Sequence, residues 1–417
     1  MQDGLRQTRC FLAYTDMATR IIDSVIENKN FIRVVMLVVD GNDVQGDQFL
    51  DLDHLSPAVH PAVQGLLDGL SSQENLECCV LYGKRNGLQE ETRRVGSVVY
   101  TSVPYQRLPL PGLGYVARLL ALRRKIKELK PDLVHGQGTE RESALTAVLS
   151  GYPSLITLHG NFRVIAKILS KHWFDYYALN ARMETWTLRR ATGIICISHY
   201  VKKITCDFVA KKWVVPNPVL SRFLVMKRPL APVIPRVISL GTIDKLKQSL
   251  LILEACEYLW IKGLVFEFHV YGGSRSNEGY PGLFFQRLKI FEEKGLAFYH
   301  GMVKDPASVI ASAHILVSAS QEESFGMNIL EAMALGTPTV APAIGGIVDI
   351  LVEGQTGLYY QANSVEDCAD KMATLLQDPT LWEVISAKGR KRAEQFFSIE
   401  VVATETMRVY QKVLSQH

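Results

Sequence analysis

Short β-branched runs alternate with longer stretches of helical period along most of the chain. This alternation is the signature of βα units built around parallel sheets, and it makes the fold class α/β. In the first half, strands are expected at RVVMLVV (from Arg33), ECCVLY (from Glu77), SVVYT (from Ser97), DLVHG (from Asp132), LITLHG (from Leu155), GIICIS (from Gly193) and WVVPN (from Trp213). Most are apolar on both faces, as buried parallel strands are. Between Val219 and Arg236, Pro229, Pro232 and Pro235 forbid a continuous helix or a central strand, so residues 219–235 read as a linker. A second series follows at RVISLG (from Arg236), VFEFHVYGG (from Val265), LAFYHG (from Leu296), AHILVSAS (from Ala313), TPTVAP (from Thr337) and GLYY (from Gly357).

Two similar domains, residues 32–218 and 236–397, are therefore expected, with ligands at the carboxyl ends of the strands and in the cleft between domains. Ser398 is a plausible N-cap for a last helix over residues 398–417, with Val402, Val409 and Val413 on one face. Residues 1–31 read as an irregular or helical extension without an apolar signal core, or as the product of a start codon placed too early.

Composition excludes more than it selects. The seven cysteines are scattered and never spaced C-x-x-C, which argues against a disulfide framework and a zinc site and suits a reducing cytoplasm. A net charge of +4 over 417 residues is too mild for a protein that grips duplex nucleic acid, so no nucleic-acid partner is expected. Apolar runs such as Val34 to Val39 fall far short of the roughly 18 residues that cross a bilayer.

The stretch that carries chemistry is SASQEESFGMNILEAMALGTPTVAPAIGGIVDILVEGQTGLYY, Ser318 to Tyr360. A helix beginning near Gly326 would present the unpaired amides of Phe325, Gly326, Met327 and Asn328 to a phosphate. Glu323 precedes that terminus, and Glu331 lies roughly 7 Å farther along the helix axis. One carboxylate can thus reach each end of a nucleoside-diphosphate sugar whose phosphates rest between them. Taken alone, the two would read as a capping acid and a solvated helix residue. The cluster of Gly326, Gly336, Gly345, Gly346 and Gly357 points instead to backbone that turns sharply or approaches a ligand.

ESFGMNILEAMALGTPTV, followed by GG and EGQTGLYY, resembles the E-x7-E region of the family 4 retaining glycosyltransferases of GT-B fold. PDLVHGQG, TLHGN, ICISHYVKK, VVPNPV, SLGTIDKLKQSLLILEA, FHVYGG and ASAHILVSAS stand in that family's order, so the resemblance covers roughly residues 32 to 417. It implies two Rossmann-like domains facing a cleft, with the C-terminal helix crossing back to the first domain. It also implies a nucleotide sugar on the second domain, with Glu331 on the ribose hydroxyls and Glu323 on the donor sugar. Lys247 falls where the family keeps a lysine against the diphosphate, after the strand-end Gly241. Thr242 stands where the family has an arginine, so that either Lys245 substitutes or the helix amides and Lys247 suffice. His159 matches the histidine directed at the donor sugar, whereas His135 reads as structural. Gly41 and Gly46 occupy the position of the family's glycine-rich loop, but without its GG pair.

The resemblance further implies transfer of a sugar to a glycan or lipid-linked acceptor with retention of configuration, in polysaccharide or glycolipid synthesis. No cofactor, metal or covalent nucleophile is expected. The alternatives are a nucleotide-sugar 2-epimerase of the same fold, which should lack the E-x7-E spacing, and a non-catalytic sugar-binding partner, for which Thr242 and the first loop are the support. On the acceptor side, the segment from Asn161 to Ala191 interleaves Phe162, Trp173, Phe174, Tyr176, Tyr177 and Trp186 with Arg163, Lys167, Lys171 and Arg182. It reads as core, as a sugar-lined acceptor site, or as a surface for anionic lipid. The helix YVARLLALRRKIKELK is expected to bury Val116, Leu119, Leu122, Ile126 and Leu129 and to expose Arg123, Arg124, Lys127 and Lys130. The expected location is the cytoplasm, peripheral on the inner face of the cytoplasmic membrane.

Overall fold

The computed structural model describes residues 31–39, 59–85, 89–106, 113–139, 141–170, 172–229, 232–274 and 278–416. Residues 1–30 and the loop bearing Gly41 and Gly46 lie outside them. The first sheet has eight strands: β1 (Ile32–Leu37), β2 (Leu76–Arg85), β3 (Glu91–Val95), β4 (Val98–Tyr105), β5 (Leu133–Gln137), β6 (Ser154–Leu158), β7 (Gly193–Cys196) and β8 (Lys211–Val214), in the order β3-β4-β2-β1-β5-β6-β7-β8. The second has six: β9 (Arg236–Leu240), β10 (Glu267–Tyr271), β11 (Ala297–Tyr299), β12 (Ile315–Val317), β13 (Thr339–Pro342) and β14 (Leu358–Tyr360), in the order β11-β10-β9-β12-β13-β14. All pairings are parallel except β3 with β4.

Every expected strand is present, with ends that differ by up to four residues, because most are short apolar runs that helices cover on both faces; β5, β6, β7, β12 and β13 are buried throughout. The strand that sequence reading missed is β3. Its sequence, ETRRV, carries no apolar run, because it is an exposed edge whose charges discourage pairing with another chain.

Residues 219–235 are less of a linker than expected. They contain the helix Ser221–Val225, whose Phe223 is fully buried. One apolar cluster runs from Val35 and Ile156 under the first sheet, through Phe223, Phe325 and Phe397, to Leu316 and Leu330 under the second. The second crossing lies beside the first: Val219 N donates to Phe397 O at 2.8 Å. There the helix Pro379–Phe397 ends at Ser398, and the chain continues as Ile399–Leu414. Ser398 occupies the N-cap position without a side-chain hydrogen bond. Val402, Ala403, Tyr410 and Val413 then pack with Val34, Leu67 and Cys78 of the first domain, so the closing helix does cross back.

The helix Leu113–Leu129 buries Leu119, Leu122 and Ile126 as expected, but Val116 and Leu120 are about half exposed. That outward face therefore carries apolar as well as basic residues. No helix among the described residues is long and apolar enough to cross a membrane.

Candidate active site

In both sheets the strand order reverses beside the first strand, and crossovers on either side of such a point leave a crevice at the strands' carboxyl ends. In the second sheet the crevice lies between β9 and β12. The loop after β9 carries Gly241, Thr242, Lys245 and Lys247; the loop after β12 carries Ser320, Glu322 and Glu323. Gln321 N donates to Leu246 O at 2.8 Å and ties the two loops together. Lys247 Nζ meets Glu323 Oε2 at 2.6 Å, and Ser320 Oγ donates to the same oxygen at 3.4 Å. Burial opposes the charge of Lys247, but the Glu323 and Asp244 carboxylates together outweigh it, and the pKa of the ammonium is raised.

Thr242 and Asp244 shape the first loop. Thr242 Oγ1 donates to Asp244 Oδ2 at 2.6 Å, and Asp244 Oδ1 accepts from Lys247 N at 2.9 Å. Thr242 thus supports the turn that aims Lys247. Lys245 is exposed and makes no ion pair or hydrogen bond among the described residues, so it stands outside the cluster. Lys247→Ala should accordingly weaken binding of nucleoside diphosphate by about tenfold or more, and Lys245→Ala by less than twofold. Calorimetry distinguishes this from equal, small effects, which would leave the diphosphate to backbone amides.

The helix Met327–Leu335 starts at Gly326, whose φ of +110° suits glycine. Asn328 Nδ2 donates to Leu240 O at 3.0 Å and anchors this terminus to the end of β9. The Phe325 side chain is buried against Phe397, so only its backbone can serve a ligand. Gly345 explains the following glycine pair: with φ at +51°, a Cβ there would fall 2.0 Å from Glu323 O, and Gly346 N donates to that same oxygen at 2.8 Å. The glycines therefore act as a floor for the Glu323 loop. Glu331 is buried and makes no hydrogen bond among the described residues. Burial pushes its pKa up to about 7, with Arg222 the only charge that opposes the shift.

The first domain contributes His159, just past the end of β6. Its Nε2 lies 2.8 Å from Gln137 Oε1, and burial holds its pKa down to about 3, so the ring is neutral. His135 is fully buried and bonds to Thr157 and Tyr410, which agrees with a structural role. Three contacts that sequence reading missed join the domains at the cleft. Ser198 Oγ donates to Ser324 O at 2.7 Å, Tyr200 OH to Glu322 Oε1 at 2.6 Å, and His199 N to Asp349 Oδ2 at 2.6 Å. Ser198, His199 and Tyr200 form the SHY run after β7, and Glu322 adjoins Glu323, but neither position shows what lies opposite.

Two facing α/β domains, with a crevice at the carboxyl ends of each parallel sheet, form a GT-B fold. The description "Glycosyltransferase Family 4" matches residues 63–220, and "Glycosyl transferases group 1" matches residues 231–392. The chain belongs to the family 4 glycosyltransferases and is an enzyme of that type. An uncharacterized glycosyltransferase of Methanocaldococcus jannaschii is 23% identical over 335 residues, 78% of this chain and 87% of that protein. The capsular polysaccharide biosynthesis glycosyltransferase CapM of Staphylococcus aureus is 32% identical over 114 residues, but these are only 27% of this chain and 30% of CapM. Among solved structures, sucrose-phosphate synthase of Thermosynechococcus elongatus superposes with a TM-score of 0.74 at 18% identity, covering 93% of this chain and all of that one. HepE of Anabaena, in complex with UDP and glucose, gives 0.68 at 15% identity, covering 91% and 99%.

Proposed function

We propose that this enzyme transfers a sugar, with retention of configuration, from a nucleoside-diphosphate sugar to a glycan or lipid-linked acceptor in polysaccharide or glycolipid synthesis. The observation that carries the reading is the Lys247–Glu323 pair at the start of Met327–Leu335, with Glu331 about a turn and a half inside. In this reading the diphosphate displaces Glu323 as the partner of Lys247 and takes the helix amides. Glu323 is then free to accept hydrogen bonds from the donor sugar, and Glu331 accepts from the ribose hydroxyls. Positive charge and amides stabilise the leaving diphosphate, so no metal is required. The UDP complexes of HepE make UDP-glucose the first donor to try. A thermal-shift panel of UDP, GDP and ADP sugars tests it: one donor should raise the midpoint with saturation, equally in EDTA, and a shift with none would overturn the reading.

The acceptor side faces lipid in this proposal, which places the enzyme peripherally on the cytoplasmic face of the membrane. Trp173, Phe174 and Tyr176 are each more than half exposed at the turn between the helices Phe162–Leu169 and Tyr176–Leu188, and Arg182 stacks 4.5 Å from the Trp173 ring centroid. Lys171 lies outside the described residues. Tyr176 packs on Phe162, three residues past His159, so this surface adjoins the cleft. Tyr115 OH reaches Met183 Sδ at 3.4 Å and links it to the helix Leu113–Leu129, where Leu120, Arg123, Arg124 and Lys127 line one shallow hollow. Aromatic side chains beside cations suit an anionic interface, at about 1 kcal/mol per basic residue. Co-sedimentation with phosphatidylglycerol vesicles should fall with added salt, with Arg123, Arg124 and Lys127 replaced by Gln, and with Trp173→Ala. No binding at low salt would leave a soluble acceptor.

A further inference from the structure

We infer that Tyr410, on the closing helix, acts through His135 and Gln137 as a positioning residue that sets which ring nitrogen of His159 carries the proton. The four side chains form one continuous polar chain through the core of the first domain. His159 Nε2 lies 2.8 Å from Gln137 Oε1; Gln137 Nε2 lies 3.4 Å from His135 Nε2 and 3.5 Å from Met36 Sδ. His135 Nε2 lies 2.7 Å from Thr157 Oγ1, and His135 Nδ1 lies 2.8 Å from Tyr410 OH.

The donors and acceptors in this chain can be ordered. A thioether sulfur only accepts, so the amide NH2 of Gln137 belongs on the side of Met36 and its oxygen on the side of His159. An amide oxygen only accepts, so His159 carries its proton on Nε2. His135 Nε2 faces the Gln137 NH2, which can only donate, and the Thr157 hydroxyl, which can turn to donate or accept, so the amide makes Nε2 the unprotonated nitrogen. The His135 proton sits on Nδ1 and is donated to the Tyr410 oxygen. Both rings are neutral, which burial favours for each. His159 Nδ1 is buried beside the Asn217 side chain and the His60 ring, whose centroid lies 6.3 Å from that of His159.

Gln137 couples the two rings because its amide presents one acceptor and one donor, never two of a kind. Without the Tyr410 hydroxyl, the His135 Nδ1–H is buried and unpaired. The proton is then better placed on Nε2, where it can be donated to Thr157. Gln137 must turn its oxygen toward His135 and its NH2 toward His159. His159 in turn gives up the Nε2 proton and gains one on Nδ1, with no change in net charge. The closing helix starts from the donor domain, so its seating on the first domain is felt at the cleft through a single hydroxyl.

The test uses the full chain with 15N-labelled histidine and long-range 1H–15N spectra, the His159 signals being identified by their loss in His159→Asn. In the unmodified protein His159 should show a protonated Nε2 and an unprotonated Nδ1. Tyr410→Phe, which keeps the ring volume, should exchange the two. Val413→Ala, on the same buried helix face but outside the chain, should lower thermal stability and leave the pattern alone. Should Tyr410→Phe fail to fold, Gln137→Met breaks the same link and should give a mixture of His159 tautomers. In the kinetic arm, which alone rests on the glycosyl-transfer reading, Tyr410→Phe should lower kcat by about tenfold with donor KM within about twofold. An unchanged His159 pattern in Tyr410→Phe, or an equal change in Val413→Ala, would overturn the inference whatever the enzyme's substrates.

Discussion

Glu323→Gln should lower turnover by about 100-fold to 1,000-fold while changing nucleotide affinity by less than about threefold, because the proposed donor pose sets this carboxylate at the sugar end rather than the base end. The side chain is already placed for this. Its loop is bonded to the β9 loop through Gln321, supported from below by Gly345 and Gly346, and held toward the first domain through Ser324 and Glu322. The amide keeps the shape and can still accept from Lys247, but it loses the charge whose attraction raises the pKa of Lys247. Steady-state kinetics with calorimetry of nucleotide binding separates the two effects. Wild-type rate and affinity together would mean that the donor binds elsewhere.

Glu331→Gln should make the ligand-free protein more stable at pH 8 and at the same time bind nucleotide about 10-fold to 100-fold more weakly. Glu331 is a buried carboxyl with no hydrogen-bond partner among the described residues, and its pKa rises from 4.5 to about 7. The folded state therefore holds this proton over a pH range in which the unfolded chain has lost it. The stabilisation is complete below pH 4.5 and is lost as pH rises through 7. Keeping the proton to about pH 7 instead of 4.5 corresponds to roughly 3 kcal/mol, an upper figure for the gain on removing the charge. Thermal midpoints followed from pH 8 downward should converge for the two proteins as pH approaches 4.5. A gap independent of pH would show that the carboxyl is ionised throughout. A buried acid kept at a cost in stability is the pattern expected where a ligand supplies the missing hydrogen bonds.

Much of this was legible in one dimension because local and global demands coincide. Thirteen of the fourteen strands could be read directly, most of them because a strand buried on both faces must be apolar along its whole length. The exception, β3, pairs on one side only and is exposed, so its residues need not be apolar. Val116 misled for a related reason: helical spacing identifies a face but not how wide a stripe the sheet will cover. Glu323 and Glu331 were legible as a pair since one short helix separates them. The glycines were legible as a cluster, though not as the floor of the Glu323 loop.

By itself the sequence determined the two βα series, the helix terminus with its flanking carboxylates, and the closing helix with its apolar face, each set by residues near one another in the chain. Only the tertiary structure decided the partners. Lys247 meets Glu323 because the crossovers diverge at β9 and β12, and Tyr200 meets Glu322 because the helix after β7 points across the cleft. Tyr410 reaches His135, 275 positions away, because the last helix returns to the first domain. Such pairings leave no periodic trace, since periodicity records which face of an element is buried and not what is packed against it.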